Sequence, residues 1–116
     1  MSALRLSDYL GHIEQAATDA LRFVEGLSKT EFLADKRTQN AVTMSLVIIG
    51  EAAMTIMERY AEFAEQHPEV PWRSMRGMRN RITHGYFVIN LDLIWETVHT
   101  ALPELLRHLA AIRANE

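Results

Sequence analysis

From Ala41 to Met57 the chain carries apolar residues on almost every side of a helix, and Glu51 is the one charge in that run. A helix that is apolar all round has to be covered all round. That demand excludes a single exposed rod and calls for a bundle in which this helix is central, or gives one face to a second subunit. The same helix is predicted to start near Asp35 and to reach about Gln66, before Pro68. Glu51 either lies at the solvent edge, pairs with an arginine, or orients an active-site group. The first two are the simpler readings.

The rest of the chain supplies the partners. Leu6, Tyr9, Leu10, Ile13, Ala17, Ala20, Leu21 and Val24 recur at three- and four-residue spacing, which is one face of a first helix from about Arg5 to Leu27. Ser28 or Thr30 re-caps the chain, with a single turn to Leu33. A third helix begins at Pro71, where a missing N–H costs nothing, and ends near His84. Gly85 suits the left-handed residue that stops a helix. Asn90 caps the last helix and Asp92 puts negative charge in its first turn. Leu91, Ile94, Val98, Leu102, Leu105, Leu109 and Ile112 form its buried stripe, and Pro103 should kink it. Long helices on short links make an all-α, antiparallel bundle of four to five helices, and 116 residues make residues 1–116 a single domain.

Composition narrows function. Hydrophobic residues are 48% of the chain, enough for a core, yet a domain this size gains from burying a face in a dimer. A net charge of −3 argues against a general nucleic-acid coat protein. The absence of cysteine excludes thiolate catalysis and disulfides. No uninterrupted apolar run approaches a membrane span and Leu4 to Leu10 does not read as a signal peptide, so no membrane role is expected and the simplest location is the cytoplasm. His12, His67, His99 and His108 form no metal pattern, and no glycine loop cradles a phosphate. Neither a metal nor another cofactor is expected. Trp72 and Trp95 fall on apolar stripes and read as core.

The chemistry concentrates in Arg79-Asn80-Arg81-Ile82-Thr83-His84-Gly85-Tyr86. An arginine holds a phosphate through two parallel charge-assisted hydrogen bonds, and a histidine moves protons near neutral pH. Together they suffice to cut RNA without a metal. At about 100° per residue, Trp72, Met75, Met78 and Ile82 face inward. Arg73, Asn80 and His84 share the other side, with Gly77 leaving a bare slot among them. Arg73 and Arg76 are candidate contacts to substrate phosphates. Asn80, four residues before His84, could orient its imidazole or position a phosphate or ribose. Arg79 is five residues from His84 and points about 140° away on a regular helix. Either the helix loosens near Thr83, a second subunit completes the site, or Arg79 is an ion-pair partner for Glu51 or another carboxylate.

The string Met78 to Tyr86, followed by an aspartate-bearing last helix, resembles the Arg-x4-His-x-Tyr motif of the HepT-like toxins of the HEPN superfamily. Ile49-Gly50-Glu51-Ala52 is also similar to that family. The resemblance implies a dimeric HEPN-type bundle acting as the ribonuclease toxin of a HepT/MNT pair. It implies that Arg79 and His84 are the ribonuclease residues, that Asn80 assists, and that Tyr86 accepts AMP from an MNT-type nucleotidyltransferase antitoxin. The expected partners are an RNA substrate, a second copy of the chain and that antitoxin. The competing reading is a non-catalytic helical subunit that docks beside the nucleotidyltransferase; a plain helical dimerisation protein ranks below both.

Overall fold

The computed structural model describes residues 4–85 and 88–115. Among these the only regular elements are helical: α1 (Leu6–Phe23), α2 (Lys29–Leu33), α3 (Lys36–Arg59), α4 (Ala61–Gln66), α5 (Trp72–His84), α6 (Leu91–Glu96), a π-helical turn (Thr97–Ala101) and α7 (Leu102–Ala114). α3 is central, as its apolar circumference requires, with α1 on one side and α5 on another. The α6–α7 rod closes the bundle against α1. One core cluster runs through all of them, built on Leu10, Ile13, Ile49, Ile56, Ile94, Val98 and Leu109. By length and composition α3 could cross a membrane; here 44% of its apolar window is buried inside the bundle.

Local chemistry sets most boundaries. Ser28 accepts from the Glu31 N–H at 3.1 Å while the Ser28 N–H donates to Glu31 at 2.9 Å, a reciprocal cap for α2. Asp35 accepts from the Thr38 N–H at 3.2 Å and from its hydroxyl at 2.6 Å, opening α3. Asn90 accepts from the Leu93 N–H at 3.0 Å and caps α6 as expected. Among the described residues the one polar side chain in the core, Ser45, returns its hydroxyl to the Ala41 carbonyl at 3.2 Å.

Four boundaries differ from the sequence expectation. α1 stops at Phe23, and Gly26, at φ 81°, takes the left-handed position in the turn that follows. Gly85 is not left-handed: its φ is −139°, and its N–H still donates to the Arg81 carbonyl at 3.0 Å. The long second helix is divided at Tyr60 (φ −131°, ψ 47°). No glycine or proline forces that break. Tyr60 turns toward Tyr9 at 6.5 Å, and Phe63 lies edge-on to Trp72 at 6.2 Å, so aromatic packing across the bundle redirects the chain. Pro103 has no N–H to donate and its ring crowds the preceding turn. The helix relieves this by widening: the Leu102 N–H reaches five residues back to Thr97 O, forming the π turn.

Two outcomes follow for stability. Phe32 is fully buried and anchors the five-residue α2 beneath Trp95 at 5.2 Å. Phe32→Ala is expected to cost about 3–5 kcal/mol in urea unfolding. The Thr38 hydroxyl, and then its N–H, hold the Asp35 carboxyl below its ordinary 3.8. The stabilisation is therefore complete above that value and is lost as pH falls through the lower folded value. Asp35→Asn should melt like the parent at neutral pH, since asparagine also caps, and should lose less stability on acidification.

Candidate active site

α5 carries four arginines and a histidine and no acid. Trp72, Met75 and Ile82 point into the core and Met78 is half-buried, as the periodicity predicts. What places the helix is Gly50, at the centre of α3. A Cβ there would stand 2.7 Å from the Met75 carbonyl oxygen and would overlap the Arg79 Cβ outright. The two backbones thus meet where α3 has no side chain, and Arg79 crosses directly over Gly50.

That crossing brings Arg79 to the next residue of α3. Its Nε donates to Glu51 Oε1 at 2.6 Å, and Nη2 contacts the same oxygen. Its Nη1 donates to Asn80 Oδ1 at 2.9 Å. Two of the five guanidinium N–H groups are thereby hydrogen-bonded, one on Nε and one on Nη1. The Arg79 side chain is 23% exposed and that of Glu51 46%. An ion pair with a half-exposed carboxylate contributes only about 0–1 kcal/mol to stability. Its main effect is to fix the plane of a side chain that otherwise has many rotamers.

His84 is the last residue of α5 and is exposed. It lines an open groove of about 380 Å³ with Arg81, Gly85, Val88, Ile89, Asn90 and Leu93. α5 stays regular through Thr83 and His84, so the helix does not loosen before the histidine. Within one chain Arg79 and His84 therefore leave the helix about 140° apart. Asn80 places its carbonyl oxygen on Arg79 rather than on His84. Gly77 is open, with nothing within 4 Å of the position its Cβ would take. Arg73 and Arg76 line a separate cleft of about 650 Å³ beside α4, with Trp72, Ser74 and Pro68. Tyr86 lies outside the described residues.

The structure thus assembles Arg79, Asn80 and Glu51 into one cluster and leaves His84 at the end of the same helix. Of the readings open for Glu51, pairing with an arginine is the one observed. The role of Gly50 was not drawn from the sequence. Its signal was a glycine in mid-helix, which costs about 1 kcal/mol against alanine and so asks for a packing reason. Trp72 gives its indole N–H to the His67 carbonyl at 3.1 Å, and Trp95 packs on Phe32 and His99; both tryptophans serve the fold. Among the described residues no three His, Asp or Glu side chains converge as a metal-holding group.

The family model described as Ribonuclease HepT-like matches residues 13–112. A Caldanaerobacter subterraneus protein named "Putative RNase TTE0752" is 38% identical over 108 residues, covering 93% of this chain and 94% of its own length. The "Probable ribonuclease HepT" of Thermococcus cleftensis is 40% identical over 98 residues, covering 84% of this chain and 86% of its own. No solved structure matches the chain significantly.

The crossing makes a direct prediction. Gly50→Ala is expected to destabilise the fold by about 1–3 kcal/mol, because the added methyl meets backbone and a Cβ rather than a movable side-chain tip. Chemical denaturation measures it.

Proposed function

This chain belongs to the HepT-like ribonuclease family, and we propose that it is a metal-independent RNA endonuclease, the toxin of a HepT/MNT type pair, working in the cytoplasm. The observation that carries the reading is the Arg79 guanidinium: held by Glu51 and Asn80, partly exposed, with further N–H groups on its terminal nitrogens that make no hydrogen bond among the described residues. A phosphate is the ligand that such a fork accepts.

In the proposed reaction the RNA 2′-oxygen attacks the adjacent phosphorus while the bond from phosphorus to the 5′-oxygen breaks. The proton leaves the 2′-hydroxyl and a proton reaches the departing 5′-oxygen. His84 performs one of these transfers. Water, or the motif of a second subunit, performs the other. Arg79 stabilises the charge that builds on the phosphate oxygens, with Asn80 holding its neighbour. The products are a 2′,3′-cyclic phosphate and a 5′-hydroxyl, and DNA, without the 2′-hydroxyl, is not cut. Arg73 and Arg76 line the cleft nearer the start of α5, and in this reading they contact phosphates farther along the strand.

A homodimer fits the same geometry. The separation of Arg79 and His84 around a regular helix favours a site completed by two copies. Met44 and Ile48, 59% and 42% exposed, lie on the α3 face that also carries Glu51, and so give a second copy an apolar surface beside the cluster. Regulation is proposed at Tyr86, where AMP transferred by an MNT-type nucleotidyltransferase would add bulk and negative charge two residues from His84 and repel the RNA phosphate.

Cleavage of RNA by the purified, unmodified protein in excess EDTA tests the reading, with end groups identified. His84→Ala is expected to lower the rate by about 10²–10⁴-fold and Arg79→Ala by about 10²–10³-fold. Cleavage that survives in His84→Ala sinks the assignment. Absence of cleavage by wild-type protein, with intact mass showing bare Tyr86, replaces it with a non-catalytic docking subunit of the nucleotidyltransferase.

A further inference from the structure

The most constrained polar contact on this surface belongs to a residue outside the Arg-x4-His-x-Tyr motif. Glu51 comes from α3, a different element from the one that carries Arg79, and reaches it across the Gly50 contact. Both Nε and Nη2 of the arginine meet the single oxygen Oε1. Asn80 holds Nη1 from the neighbouring position on α5. The guanidinium is thus gripped on two sides by groups that cannot turn together, since they stand on different helices.

We propose that Glu51 is a positioning residue for RNA cleavage: it locks the Arg79 guanidinium in the orientation whose remaining N–H groups meet the scissile phosphate. The inference rests on the ribonuclease reading above. Several features of the molecule support it. A mid-helix glycine stands where any side chain would collide with Arg79 and displace it from Glu51. Glu51 is the only charge between Ala41 and Met57. Its carboxylate remains partly solvated, which suits a contact that orients better than one that stabilises. Arg79 unclamped would sample many rotamers, and the transition-state contact would have to collect one of them at every turnover. Glutamate meets Nε at 2.6 Å, and a carboxylate one methylene shorter on the same backbone is expected to fall short of it.

The expected consequence is a loss in the chemical step rather than in binding. Glu51→Ala should lower kcat for RNA cleavage about 10–100-fold while KM changes little. Glu51→Gln, which keeps an oxygen acceptor in place, should recover most of that loss, and Glu51→Asp should not. The orientation itself is read by NMR of ¹⁵N-labelled protein. An Arg79 Nε–H signal slowed in exchange should be present in wild type and Glu51→Gln, assigned by its absence in Arg79→Lys, and missing in Glu51→Ala. Wild-type kcat in Glu51→Ala overturns the proposal. So does an unchanged Arg79 Nε–H signal in that variant, or a kcat loss matched by loss of folded protein in the melting curve. If wild-type protein cleaves no RNA, the ribonuclease reading fails at its own step, and the proposal falls with it. The NMR arm shows separately whether Glu51 holds Arg79.

Discussion

The close contact of α3 and α5 at Gly50 is the constraint on which the candidate site depends. Helix axes normally stand apart by the thickness of their side chains. Here one helix contributes no side chain at the crossing, and the Met75–Arg79 turn of its neighbour rests on it. The same contact that seals the core beside Met75 presents Arg79 to Glu51. Core packing and site geometry are one feature, so the position of the guanidinium inherits the rigidity of the bundle rather than that of a surface side chain.

Charge is organised locally against a contrary global balance. The chain carries a net −3, yet α5 bears Arg73, Arg76, Arg79, Arg81 and His84 with no acid among them. At physiological ionic strength charges beyond about 8 Å are largely screened. The charges of α5 therefore act chiefly over that short range, in which Glu51 is the carboxylate that meets them. Among the described residues Arg79 is the α5 cation with an ion pair, made to α3, whereas Lys29–Asp92 joins α2 to α6 and Arg113–Glu14 joins α7 to α1. The basic residues Arg81 and His84 in the last turn of α5 also complement its dipole, so the fold tolerates a cationic helix end at little cost.

The elements were legible wherever the controlling chemistry is local. The apolar stripes of α1, α5 and the α6–α7 rod follow the 3.6-residue period, and the caps at Ser28, Asp35 and Asn90 use side chains that reach their own first turn. The misses share a cause. The break at Tyr60 answers to Tyr9, about fifty residues away in sequence, and the π turn answers to how Pro103 is accommodated under continued packing of Val98 and Leu102. Gly26, for which the sequence suggested no role, takes the left-handed position and Gly85 does not, because the chain direction required after each helix is set by where the next one packs.

For the site the division is similar. The sequence by itself determined that the chain is helical, that its second long helix must be surrounded, and that Arg79, Asn80 and His84 sit on one short helix in a family-specific string, since residue order and helical period are properties of the chain alone. Only the tertiary structure decided that Arg79 belongs with Glu51 and Asn80, that His84 leaves the same helix in another direction, and that Arg73 and Arg76 open onto a different cleft. The physical reason is that the first relation depends on the distance at which α3 and α5 cross, which one missing side chain, at Gly50, sets, and the others on α5 staying regular to His84 and on where α4 packs beside it.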